Sequence, residues 1–294
     1  MARKTIFDDV FRTICQKLPH LLIPVINEVF GTDYSEKDEV TQLRNEHFER
    51  NGELITDSLL QIQKHTYHIE CQSRDDADMV IRMIEYDFSI AVENITVDDD
   101  GTFSVNFPES CVIYLRAGNS KSRISKLNVR FADGAVYPYK MNTLCIQDYS
   151  QEEIFKKQLL MFLPFYILRY ENNLPTAKKE DSQKLQSLIE EYKTLFEQME
   201  AYCSDTPGDF TDLYNLSIKI INHVVKSSSV KRRIADMGGK VLTLPSEKLR
   251  VEGREEGQEL LVKAVALIRT GKTTEDLLSL GYDRRTVDLA LSIK

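Results

Sequence analysis

Paired cysteines, long apolar runs and an excess of positive charge are all missing from this chain. Its cysteines, Cys15, Cys71, Cys111, Cys145 and Cys203, form no Cys-x-x-Cys pair. Cys71, Cys111 and Cys145 lie in apolar, strand-like runs, so buried thiols in a reducing cytoplasm are expected. No apolar run is long enough to span a bilayer, and the opening MARKTIFDDVF lacks the core of a signal peptide. No membrane partner and a cytoplasmic location are therefore expected. A Gly-x-Ser-x-Gly elbow is also absent. Gly271-Lys272-Thr273 is no P-loop, because Ala266 stands where the pattern needs glycine and a helical run precedes it. Asp98-Asp99-Asp100-Gly101 lacks EF-hand spacing and reads as a solvated turn.

The balance of 38 Lys and Arg against 46 Asp and Glu gives a net charge of −8. That does not favour binding to a polyanion, so any phosphate contact must come from local basic patches. Two exist: Lys121, Arg123, Lys126 and Arg130, and then Lys226, Lys231, Arg232 and Arg233. Each is a candidate DNA-binding patch, and each also reads as an ordinary solvated face.

What is present centres on Ile55 to Tyr86, which reads as strand, turn, strand and helix. A two-residue turn at Lys64-His65 would pair Gln63 with Thr66, Leu59 with Glu70 and Asp57 with Gln72. Side chains alternate with period two, so Asp57, Gln61, His68, Glu70 and Gln72 fall on one face. Leu60, Ile62, Tyr67, Ile69 and Cys71 fall on the other, which suits a core. In this register Asp57 and Glu70 are diagonal neighbours, about 7–8 Å apart, and could close on one divalent cation. By pattern alone the same face also reads as a half-exposed, solvated sheet surface.

Around the hairpin, residues 6 to 18 carry Phe7, Val10, Phe11, Ile14 and Leu18 at helical spacing, with Asp8 off the stripe. Asp8 there reads as an acid favoured by the helix dipole. LLIPVINEVFG continues as a short helix ending at Gly31, and residues 32 to 53 read as loop with a short strand near Val40. After the hairpin, Ala77 to Val92 reads as a helix that draws apolar area from Met79, Met83, Tyr86, Phe88 and Ile90. Four strand-like runs follow, with Asp133-Gly134 as a hairpin turn between the last two. From Ser150 onward the pattern is helical, with a break at Pro164. The expected fold is α/β: a mixed sheet flanked by helices, then an all-helical C-terminal region. Boundaries are expected at 1–173 for the core, 174–252 for a helical region and 253–294 for a small terminal module. The core is expected to stand without the rest, and the terminal helices are expected to serve association.

The order Asp57, then Glu70-Cys71-Gln72-Ser73, then Met79-x-x-Arg82-Met83-x-x-Tyr86 resembles the PD-(D/E)XK nuclease superfamily, and within it the recombination-promoting nuclease and putative-transposase branch. Asp8-Asp9-Val10-Phe11-Arg12 resembles that branch's opening helix, with Arg12 where lysine is usual. Phe107-Pro108 and CVIYLRAGN resemble its next strand. The likeness is clearest over Thr5 to Gly118 and weaker to Asn173. It implies a restriction-endonuclease-like core and a Mg²⁺-dependent endonuclease acting on DNA, with Mn²⁺ or Ca²⁺ as alternative ions and a link to recombination or transposition. It implies Asp57, Glu70 and Gln72 as catalytic residues, with Asp57, Glu70 and the Cys71 carbonyl as metal ligands. Asp8, Arg82 and Tyr86 would support them. Gln72 stands where most of the superfamily has lysine, and a neutral amide cannot act as a base. A homodimer through the C-terminal helices and a catalytically silent, DNA- or protein-binding relative are the further expectations.

Overall fold

The computed structural model describes residues 5–44, 46–49, 52–74, 78–116, 124–172 and 183–241, and beyond these 263, 265, 267, 268, 272–279, 282, 286 and 290. The chain divides into two compact units, Met1–Ala235 and Asp236–Lys294.

The first unit opens with α1 (Ile6–Lys17). Thr5 and Asp8 start it as a capping box: the Asp8 amide donates to Thr5 Oγ1 and the Thr5 amide to Asp8 Oδ2. Phe7, Val10, Phe11, Ile14 and Cys15 form its buried stripe. Helix α2 (Ile23–Phe30) ends where Gly31 takes φ 70°, a left-handed C-cap that glycine adopts without strain.

Strands β1 (Val40–Gln42), β4 (Ser58–Ile62), β5 (His65–Gln72), β8 (Glu109–Tyr114), β9 (Ile124–Arg130) and β10 (Val136–Cys145) make a six-stranded sheet in the order β1-β4-β5-β8-β10-β9. The β1/β4, β4/β5 and β9/β10 pairs are antiparallel, while β5/β8 and β8/β10 are parallel. Two small two-stranded sheets, β2 (Glu46–Glu49) with β3 (Gly52–Ile55) and β6 (Thr96–Val97) with β7 (Phe103–Ser104), lie outside it. The first of these occupies a stretch whose polar character reads as loop. Central β8 is buried from Ser110 to Tyr114, the continuous pattern of a strand covered on both faces. Edge strand β9 alternates exposed with half-buried positions. The β9–β10 turn forms where expected, with Gly134 at φ 89° and the Ala135 amide bonded to Asp133 Oδ1.

Helix α3 (Met79–Glu93) joins β5 to its parallel neighbour β8 and covers one sheet face. Met79 and Met83 pack there with Val112, Tyr114 and Met141. Phe88, expected to add apolar area, points outward and is 54% exposed; Asp87 takes the buried position instead. On the opposite face, Tyr67 packs on Phe30 and shares a hydrogen bond with the Tyr34 hydroxyl.

The segment after Ser150 is not one long helix. Helix α4 (Gln151–Lys156) stops before Gln158, which has φ 60°, and a buried 3₁₀ run, Leu160–Tyr170, contains Pro164. Then come α5 (Gln183–Tyr202), α6 (Pro207–Val224) and α7 (Ser228–Val241). Helix α6 packs on the 3₁₀ run and on α1, within the compact unit that runs to Ala235. Phe7 meets His223 edge-on, and His20 is bonded to Asp209. The apolar stripes of α5 and α6 are the missing half of the core's own packing.

Phe210, Leu213, Ile220 and Ile221 of α6 are at most 1% exposed. At about 1.5–3 kcal/mol each, their burial contributes about 6–12 kcal/mol, comparable with the whole stability of an ordinary domain. A chain ending at residue 173 is therefore expected to be insoluble or to lack a cooperative melt. A soluble 1–173 fragment with a native-like circular dichroism melt would contradict this packing.

In the second unit, Ile268, Leu277 and Ala290 form a buried cluster with Val265 and Tyr282. Thr273 caps the helix Thr274–Ser279, paired with Asp276. No helix among the described residues is long and apolar enough to cross a membrane.

Candidate active site

The hairpin forms, but its turn lies one residue earlier than expected, at Gln63-Lys64, with Ile62 opposite His65. Gln63 adopts φ 54° to close it. Leu59 faces His68 and Ser58 faces Ile69, so the next step of the register sets Asp57 against Glu70. The shift moves the pairing by two residues, and side chains keep their faces. Asp57 and Glu70 are therefore direct partners, not diagonal ones. The Asp57 amide donates to Glu70 Oε1 at 2.8 Å.

The face is not open, as its polar character suggested. Asp57 is 6% exposed, Glu70 4%, and His68 and Asp87 0%. Helix α3 covers the strand positions, and α1 closes the end of β4. Arg12 reaches from α1 to Asp57 Oδ1 through Nε at 3.0 Å and Nη2 at 2.9 Å. The Cys71 amide donates to Asp57 Oδ2 at 3.1 Å. Burial, then the Glu70 charge, pushes the Asp57 carboxyl up to about 7, against the opposing pull of the Cys71 amide and Arg12.

Behind Glu70 lies a polar chain inside the protein. His68 Nε2 is 3.1 Å from Glu70 Oε1 and its Nδ1 is 2.7 Å from Asp87 Oδ1. Asp87 Oδ2 accepts from the Ser110 and Tyr139 hydroxyls, each at 2.6 Å. An ionised carboxylate only accepts, so an imidazole between two of them donates from both nitrogens and carries a charge. Burial alone would lower the His68 pKa; the bonds and charges of Asp87 and Glu70 outweigh it and raise it to about 9.

The remaining expected residues divide. Gln72 follows Glu70 on the same face, half-buried, and its side-chain amide makes no hydrogen bond among the described residues. Tyr86 lies within the field of Glu70 and Asp57: burial first, then the Glu70 charge, raises its phenol pKa, while Arg82, bonded to it, opposes. Its ring is 6.0 Å from that of His68. Asp8 serves the capping box of α1 and makes no hydrogen bond to Asp57 or Glu70. The Cys71 thiol is buried and raised well above its ordinary pKa by that burial, so it supplies no thiolate; its backbone carbonyl is the atom the resemblance assigns.

Of the basic candidates, Lys121 and Arg123 lie outside the described residues. Lys126 is exposed on edge strand β9, opposite Lys140. Lys231 Nζ donates to the Asn222 carbonyl and Arg233 to Gln186 Oε1, while Arg232 is exposed.

Arg12, His68, Asp87, Ser110 and Tyr139 have no place among the sequence candidates for the site. Asp87 left one trace: it follows Met79 and Met83 at four-residue steps, a charge on the helix's apolar stripe. Among the described residues no group of three or more His, Cys, Asp or Glu is arranged to hold a metal ion. Comparisons with protein-family models, curated proteins and solved structures give no match for the chain.

Proposed function

We propose that the protein is a Mg²⁺-dependent endodeoxyribonuclease of the PD-(D/E)XK type, with Asp57 and Glu70 as its metal ligands. The observation that supports this most is the pair itself. Two buried carboxylates oppose each other across β4 and β5, and Glu70 Oε2 has no hydrogen bond among the described residues. Three carboxyl groups, Asp57, Glu70 and Asp87, stand against two cationic groups, Arg12 and His68. Helix α3 follows with Arg82 and Tyr86, in the order the resemblance requires.

The donor set fits a small hard cation. Mg²⁺ is commonly held by one or two carboxylates and keeps several waters, so it needs no third side chain. Mn²⁺ or Ca²⁺ would use the same oxygens. When bound, such an ion polarises a phosphate and lowers the pKa of a bound water. Asp57 and Glu70 hold it, and the Cys71 carbonyl is the third ligand the resemblance implies. Arg12, already on Asp57, is a cation placed to meet a phosphate oxygen. The Gln72 amide, with no hydrogen bond among the described residues, would position a water. The phosphate patches at Lys126 and at Lys231 to Arg233 belong to the same reading, as do Lys121 and Arg123. So does pairing of two chains through the C-terminal helices, and so does a role in recombination or transposition.

Supercoiled plasmid incubated with the full chain and Mg²⁺ or Mn²⁺ should be nicked or linearised, and EDTA should stop the reaction. A second reading draws on Arg12, which already compensates Asp57: a silent relative that binds DNA or protein. Salt-dependent DNA binding without cleavage by either metal would decide for it.

Gln72→Ala should lower the cleavage rate by about tenfold with little change in KM, the loss of one positioning hydrogen bond. Full activity in that variant would make Gln72 part of the sheet's polar surface and nothing more.

A further inference from the structure

We propose that His68, anchored by Asp87, Ser110 and Tyr139, is the positioning residue for Glu70, and that it turns one carboxylate oxygen inward so that the other faces the metal. This rests on the reading of Glu70 as a metal ligand.

Glu70 Oε1 is doubly engaged, by the Asp57 amide at 2.8 Å and by His68 Nε2 at 3.1 Å. Oε2 has no such partner among the described residues. A carboxylate held at one oxygen by two donors on rigid strands loses its freedom to rotate. The Asp57 amide is fixed by the hairpin, but the His68 ring could turn about its own side-chain bonds. Asp87 Oδ1, at 2.7 Å from Nδ1, prevents this. Asp87 is held in turn by the Ser110 and Tyr139 hydroxyls on its other oxygen, from β8 and β10. The chain of contacts thus ties Glu70 to β8, to β10, to α3 and to the residue that precedes β4. The Ser110 hydroxyl also lies 3.4 Å from the Pro108 carbonyl, and every member except Tyr139 is at most 6% exposed. Buried side chains that hold one another in such a network are fixed in one geometry. Such supports behind ligands commonly change metal affinity by about 10–100-fold when removed.

Two substitutions separate positioning from bulk packing. In His68→Asn the amide nitrogen falls near the place of Nδ1, so the link to Asp87 survives and the link to Glu70 is lost. In His68→Gln the amide nitrogen falls near the place of Nε2, so the link to Glu70 survives. Mn²⁺ is titrated calorimetrically into each full-length variant, and amide hydrogen exchange is followed at Asp57, Leu60 and Ile69. His68→Asn should weaken Mn²⁺ binding by about 10–100-fold. It should also speed exchange of the Asp57 amide, whose acceptor is Glu70 Oε1, more than exchange at Leu60 or Ile69. His68→Gln should fall between His68→Asn and the unsubstituted protein in both measurements.

Equal behaviour of the two variants at Asp57 and in Mn²⁺ affinity would overturn the proposal, because loss of packing alone treats them alike. If the unsubstituted protein binds no Mn²⁺, the metal reading falls, and the Asp57 exchange rates still decide whether His68 positions Glu70. Should neither His68 variant fold, Tyr139→Phe removes one donor from Asp87 and no ring volume. Faster exchange at Asp57 than at Leu60 or Ile69 then supports the proposal, and unchanged Asp57 exchange counts against it.

Discussion

Glu70→Gln should abolish metal-dependent cleavage, by at least about a thousandfold, while the protein keeps its fold. A thousandfold is about 4 kcal/mol of lost transition-state stabilisation, which loss of a charged ligand can account for. The variant keeps its shape because the side-chain oxygen of glutamine can still accept from the Asp57 amide and His68, the two partners of Oε1. Its new NH₂ falls where Oε2 has no partner among the described residues, so no buried bond is broken. The melting temperature should move by a few degrees at most. Asp57→Asn behaves differently, although it looks equally conservative. Both Asp57 oxygens face donors, Arg12 on Oδ1 and the Cys71 amide on Oδ2. An amide nitrogen must then meet one of those donors head-on, so activity and stability fall together. Plasmid cleavage with Mg²⁺, read beside thermal melts of both variants, checks the pair of outcomes. Cleavage by Glu70→Gln at the unsubstituted rate would remove Glu70 from the site.

That contrast depends on the observed pairing, which the sequence only partly revealed. Period-two alternation was enough to sort Asp57, His68, Glu70 and Gln72 onto one face, since a register error of two residues leaves faces unchanged. It could not locate the turn, because Gln63 adopts a left-handed conformation that its residue type does not announce. Nor could it show that the polar face is covered. Asp87 was the legible clue, since a carboxylate on the stripe of Met79 and Met83 needs buried partners. Those partners, Ser110 and Tyr139, stand 23 and 52 residues further on, and only the parallel pairing of β5, β8 and β10 brings them in. The helical segment past residue 183 was legible as amphipathic, but its partner surface was not. A stripe shows that a helix must pack, not on what.

Asp87→Ala should be the most destabilising single change in the site, at about 3–5 kcal/mol, which is the usual cost of leaving one partner of a buried ion pair alone. Asp87 is fully buried and accepts three hydrogen bonds, from His68, Ser110 and Tyr139. Its removal takes the acceptor from the Tyr139 hydroxyl, leaves the Ser110 hydroxyl only the Pro108 carbonyl at 3.4 Å, and leaves a buried imidazolium with Glu70 alone. For a unit of this size the melting temperature should drop by about 10 °C. The pH dependence identifies the cause. His68 has its pKa raised from 6.5 to about 9, so its charge stabilises the fold fully below about pH 6.5. That stabilisation, about 3 kcal/mol, is lost as pH rises through 9. Asp57 also loses stability with rising pH, but its window runs from about 4 to about 7 and closes before the His68 window does its main work. Between pH 7 and 9.5 the unsubstituted protein should therefore melt at progressively lower temperature. Asp87→Ala should melt low throughout and show a flatter profile, because the pKa of His68 falls once its strongest partner is gone. Melts of both proteins at pH 7, 8 and 9.5 test this. Parallel profiles, offset but equally steep, would mean that Asp87 packs the core without holding the charge on His68.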